Sequence, residues 1–64
     1  MKTFTLYIPS QGITFEGDAI AVTNKIADNC NPFLKRTALL TQVMLSNNII
    51  ITINNVQCLV KVEV

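Results

Sequence analysis

Residues 49–64 contain two β-forming segments separated by a two-residue loop, and they constrain the fold more than any other part of the chain. Asn54 and Asn55 separate two runs rich in isoleucine and valine, and asparagine tolerates the positive φ that a type I′ turn requires. The sequence therefore predicts a β-hairpin of Ile49–Ile53 and Val56–Val64 with one apolar face. The apolar cross-strand pairs on that face are Ile53 with Val56, Ile51 with Cys58 and Ile49 with Val60. The same pairing sets Ile50 opposite Leu59 on the other face, where polar residues are expected.

The N-terminal residues 3–16 predict a second hairpin. Apolar and polar residues alternate up to Ile8, which is the period of a half-buried strand, and Pro9–Gly12 supply the turn. Across this loop Ile8 faces Ile13 and Leu6 faces Phe15, while Tyr7 points to the opposite face and is expected to be half exposed. Because the strand ending at Val64 is longer than its hairpin partner, we expect it to pair also with the N-terminal strand. The result is one mixed or antiparallel sheet of three or four strands.

Two helices are predicted between the hairpins. Asp18 is a good N-cap for an amphipathic helix whose apolar residues recur at three- and four-residue steps, namely Ala19, Val22, Ile26 and Cys30. Asn31 and Pro32 favour a second helix from Pro32 to Leu45. Its apolar residues fall on more than one side, with Leu39 on a side of its own. A second cover, supplied by a partner protein, is therefore expected there.

An alternative stays open for residues 39–45. Asn47-Asn48 and Asn54-Asn55 are spaced like successive hairpin turns, so these residues also fit a strand of a meander. The predicted fold class is a small α+β domain over residues 1–64, of order ββααββ, with one or two helices covering the sheet. The alternative is ββαβββ.

Composition indicates that some of the apolar surface contacts another chain. Half of the 64 residues are apolar and 14% are charged, against about 25% charged in a typical domain. A chain of about 60 residues buries only about 60% of its unfolded surface. Either a different protein or a second copy would cover the remainder. The sheet edges carry few charges, which favours pairing between subunits.

Several classes of function are disfavoured. The chain has no histidine, and Cys30 and Cys58 are too few and too far apart in sequence for a zinc site, so no metal or other cofactor is expected. We expect both to be buried thiols of a cytoplasmic protein. The net charge of +1 is dispersed, which makes nucleic acid an unlikely partner. No apolar run approaches the ~18 residues that span a bilayer, so no membrane contact is expected.

Catalysis is also disfavoured. The commonest general base, histidine, is missing, and Cys30 has no base near it in sequence. Glu16 and Asp18 are explained by a strand end and a helix cap. We therefore expect no enzyme.

The favoured interpretation is a small protein-binding module. Proteins of this size without catalytic residues are often accessory or phage-type inhibitors, anti-CRISPR-like proteins among them, which occupy the surface of a larger enzyme. The alternatives are a homodimeric regulatory or structural subunit and, with less support, a nucleic-acid-binding regulator. The candidate contact residues are apolar or basic where the pattern predicts exposure: Tyr7, Lys35, Arg36, Leu39, Ile50 and Leu59.

Overall fold

Four antiparallel strands form one open sheet, and two helices lie between its hairpins. The computed structural model describes residues 2–45 and 47–63. The elements in chain order are β1 (Thr3–Ile8), β2 (Ile13–Gly17), α1 (Ala19–Cys30), α2 (Arg36–Leu45), β3 (Asn48–Ile53) and β4 (Val56–Glu63). The strand order across the sheet is β2-β1-β4-β3. The predicted α+β class and the order ββααββ are confirmed. The meander alternative is wrong, because residues 36–45 are helical.

Both hairpins have the predicted registers. In the first, Ile8 pairs with Ile13 and Leu6 with Phe15. In the second, Ile51 pairs with Cys58, and both loop residues have positive φ, 50° at Asn54 and 66° at Asn55. The second half of β4 pairs antiparallel with β1, as the longer strand predicted. The predicted strand end at Val64 lies outside the described residues.

Both helices pack on one face of the sheet, and the core lies between the two layers. Helix α1 begins as predicted, with Asp18 Oδ1 accepting a hydrogen bond of 2.8 Å from the Ala21 amide. The buried Thr23 hydroxyl donates to the Ala19 carbonyl over 2.7 Å, so this polar group needs no partner outside its own helix. The buried core residues come from β1, both helices and the C-terminal hairpin: Phe4, Leu6, Ile8, Val22, Ile26, Leu39, Val43, Ile51, Cys58 and Val60.

Helix α2 begins four residues later than predicted, at Arg36 rather than Pro32. The Asn31 side chain does cap a local structure, since its Oδ1 accepts a hydrogen bond of 3.1 Å from the Phe33 amide. That structure is a turn, in which the Leu34 amide donates to the Asn31 carbonyl. Phe33 is 94% exposed, so no burial of its ring stabilises a first helical turn here.

The predicted exposure of Leu39 is wrong. Its side chain is 4% exposed and belongs to the core. Leu39 and Val43 are four residues apart, so they share one helix face, and this face is the one that α2 turns toward the sheet. The rotation of α2 about its axis leaves Met44 and Leu45 exposed instead.

Candidate interaction surface

Three of the predicted contact residues form one row across the outer face of the sheet, the face opposite the helices. Tyr7 on β1 lies opposite Leu59 on β4, and Leu59 lies opposite Ile50 on β3. Neighbouring strands are about 4.8 Å apart, so the three side chains lie side by side across the sheet. Tyr7 is 45% exposed and Ile50 is 61% exposed, while Leu59 between them is half-buried. We call these three residues the outer row.

Polar residues border the outer row on both sides. The next row of cross-strand partners on one side contains Thr5 and Lys61, with Glu16 and Asn48 at its ends. The row on the other side pairs Thr52 with Gln57. The Thr5 hydroxyl donates to Glu63 Oε1 over 2.9 Å, which holds a carboxylate near this border. An apolar centre with a polar, charged rim is the usual anatomy of a protein contact surface.

The basic pair predicted as part of the site lies elsewhere, at the start of α2. Arg36 Nη1 donates to Asn24 Oδ1 over 2.6 Å, and Nη2 forms an ion pair of 3.2 Å with Asp28. Both partners belong to α1, so Arg36 joins the two helices. This contact explains a basic residue at a helix N-terminus, where the macrodipole disfavours it. Lys35 is exposed and lies at a hollow of about 210 Å³ between α2 and β3.

A second apolar surface lies on the helical side and was missed by the sequence analysis. An open groove of about 470 Å³ runs between the start of α1 and α2, with Phe4 among its lining residues. Ile20 and Met44 line it as exposed side chains, and Lys2 and Asp18 supply its charges. The sequence feature that could have indicated this groove is the presence of apolar residues on more than one side of α2.

The two cysteines are adjacent in space. Cys30 Sγ lies 3.5 Å from Cys58 Sγ, and both residues are free thiols. Burial raises the pKa of the Cys58 thiol from 9.0 to about 12, with smaller contributions from the hydrogen bond and the electrostatic interaction with Cys30. Cys58 is therefore protonated at neutral pH, and a protonated thiol is not a nucleophile.

Comparisons with protein-family models, curated proteins and solved structures find no match for this chain. Within residues 2–45 and 47–63, neither helix has the length and apolar character needed to cross a bilayer. The same residues contain no group of three or more His, Cys, Asp or Glu side chains able to hold a metal ion. The function is therefore inferred from the surfaces of the molecule.

Proposed function

We propose that the protein is a non-enzymatic protein-binding module whose contact surface is the outer face of the sheet. The observation that carries the proposal is the outer row, in which Tyr7, Leu59 and Ile50 are contiguous on a face that neither helix covers. Singly exposed apolar residues are normal on protein surfaces, but a contiguous group within a polar rim is typical of contact sites. Tyrosine is also among the residues that most often dominate binding energy.

The proposed mechanism is steric. The protein occupies the surface of a larger protein in the cytoplasm and thereby blocks it, as an accessory or phage-type inhibitor of the anti-CRISPR-like kind does. The outer row supplies affinity through apolar burial, and the rim charges of Glu16, Lys61 and Glu63 orient the encounter. Free, adjacent thiols fit a reducing compartment.

Nucleic-acid binding receives less support than protein binding. Single-strand binders place basic residues beside aromatic ones on which bases stack. The Arg36 guanidinium is held between Asn24 and Asp28 on the helical side, whereas Tyr7 is on the outer face. The lysine in the row next to Tyr7 is Lys61, which has Glu63 two residues away.

The partner is identified by site-specific photo-cross-linking in lysate. A photoreactive phenylalanine replaces Ile50 in one variant and Phe33 in another. Both positions are well exposed, but Ile50 is on the outer face of the sheet and Phe33 is in the connection between the two helices. We expect a discrete cross-linked protein from position 50 that position 33 does not give. Labelling from position 33 alone would assign binding to the helical side and contradict the proposal.

The affinity of the purified partner is then measured for two charge-matched double variants. Ile50→Glu with Leu59→Lys replaces two members of the outer row, and the opposite charges suit residues that face each other across strands. Thr52→Glu with Gln57→Lys places the same charges on the same two strands at the rim. We expect the first variant to lose at least about 30-fold in affinity and the second less than about 10-fold. Equal affinities for two folded variants would refute the assignment.

A further inference from the structure

We infer that the free edge of β3 pairs antiparallel with β3 of a second copy, around a two-fold axis at Ile50. The inference concerns the edge of β3, which shares Ile50 with the outer row, so Leu59 and Thr52 are the positions at which the two proposals are tested separately. It assigns an interaction surface and commits to one occupant, a second copy of this chain.

Within residues 2–45 and 47–63, no strand pairs with the outer edge of β3. Strand β3 is at the end of the sheet and has one neighbour, β4. The Val62 amide donates to the Asn47 carbonyl over 3.1 Å. This bond identifies the residues of the segment whose backbone groups bond to β4. Because bonded and non-bonded pairs alternate in an antiparallel ladder, residues 47, 49, 51 and 53 point their backbone groups toward β4. Asn48, Ile50 and Thr52 therefore point theirs outward.

The two edges of the sheet differ in how they are protected. Edge strand β2 carries Glu16, and the Lys25 ammonium lies 5.5 Å from the centre of the Phe15 ring on the same strand. Strand β3 has the sequence Asn-Ile-Ile-Ile-Thr-Ile, with neither a charge nor a proline. Charges and prolines are the usual devices that prevent edge pairing. Their lack on β3 leaves this edge open to another strand.

The sequence of β3 is complementary to itself about Ile50. In antiparallel pairing around this residue, Ile50 faces Ile50, Asn48 faces Thr52, and Ile49 faces Ile51. Each of these three pairs is apolar with apolar or polar with polar, whereas Ile53 at the end of the strand faces Asn47. The outward groups of Asn48, Ile50 and Thr52 form the bonded pairs, which gives six backbone hydrogen bonds. Moving the register by two residues sets Ile50 against Thr52 and loses this match.

Pairing in this register joins the two outer rows. Each row ends at Ile50, so the second copy continues it through Ile50 to Leu59 and Tyr7. The result is an eight-stranded sheet with one continuous apolar strip on its outer face.

The first test is the solution mass of the wild-type chain and of Thr52→Pro. Proline is tolerated at an edge position whose amide points away from the sheet, so the fold of this variant survives while one inter-chain bond is removed. We expect wild type to have twice the chain mass of 7.1 kDa at 100 µM and Thr52→Pro to have the single mass. Thr52→Val keeps the amide and should remain dimeric. A monomeric wild type, or a dimer that Thr52→Pro does not weaken, would overturn the inference.

The second test examines the register of the pairing between the two copies. It does not require that any variant be monomeric. In the proposed dimer two Ile50 Cα atoms lie about 5.5 Å apart, within the range that a disulfide bridges. Two Thr52 Cα atoms are offset by four residues, or about 13 Å along the strands. Treatment with oxidised glutathione should therefore link Ile50→Cys into a covalent dimer but leave Thr52→Cys unlinked. The reverse pattern would refute the register.

The dimer and the protein partner are separable by variants. Leu59→Lys alters the outer row on an inner strand, so it should weaken partner binding without changing the mass. Thr52→Pro leaves Tyr7, Leu59 and Ile50 in place and should change the mass. Failure of one proposal therefore does not imply failure of the other.

Discussion

The burial of Leu39 can be tested by truncating two leucines of the same helix. Leu39 is 4% exposed and Leu45 is 80% exposed, and both lie in α2. Leu39→Ala and Leu45→Ala remove the same atoms, and leucine and alanine are both strong helix formers, so a large difference between the two variants reports burial. Leu45→Ala should change the free energy of unfolding by no more than about 0.5 kcal/mol.

The expected loss at Leu39 follows from its place in the core. Truncation of a buried leucine costs about 2–5 kcal/mol, through lost apolar burial and the cavity left behind. The core of a domain this small supplies about 3–5 kcal/mol in total. Leu39→Ala should therefore lose about 40% or more of the stability, and at the upper end of this cost it does not fold at 25 °C. Leu39→Met conserves the volume and should lose less than about 1.5 kcal/mol.

Urea unfolding followed by far-UV circular dichroism measures these differences, at one protein concentration because self-association adds to stability. With a slope of about 1 kcal/mol per M, the midpoint of Leu39→Ala should fall by about 2–5 M from a wild-type midpoint of about 3–5 M. Leu39→Met keeps the measurement possible if Leu39→Ala does not fold. Equal midpoints for Leu39→Ala and Leu45→Ala would show that Leu39 is not part of the core.

Two further predictions concern the cap of α1 and the buried thiol. Asp18→Ala should lower the free energy of unfolding by about 1 kcal/mol, or the Tm by about 4–8 °C, because the Ala21 amide loses its acceptor. Asp18→Asn keeps a capping oxygen and should lose little stability. Equal Tm values for the two variants would contradict the cap. Because the pKa of Cys58 is raised to about 12, its contribution to stability is complete below pH 9 and should decline between pH 9 and 12, by up to about 1.4 kcal/mol per pH unit. Urea unfolding from pH 8 to 10.5 should show a steeper decline for wild type than for Cys58→Ala, and parallel declines would refute the pKa shift.

The hairpins could be predicted because two independent local signals agree at each of them. Loop length fixes which residues face each other, and the two-residue period fixes which face they share. For the loop at Asn54 and Asn55 both signals select the same register. That register places Ile50 opposite Leu59. The position of Tyr7 in the outer row followed once β1 was paired with β4.

The rotation of α2 could not be predicted from local pattern. The rotation depends on how α2 packs against α1. The contacts between the two helices include hydrogen bonds from Arg36 to Asn24 and Asp28, which are 12 and eight residues away in the chain. With apolar residues on several sides of α2, periodicity alone does not select the Leu39 face over the face of Met44. The groove beside Ile20 was missed for the same reason, since it exists only once the two helices have been placed.

The topology explains why neither helix covers the outer row. The connections within the two hairpins are tight turns, and the remaining connection, from β2 to β3, carries both helices to the same face of the sheet. Edge pairing through β3 would leave the outer face open and double the strip on it. Each copy then keeps a complete outer row, and a partner with one binding site gains no avidity from the second row, because avidity requires two linked contacts. Thr52→Pro should therefore change the solution mass but keep partner binding, because it leaves every member of the outer row in place.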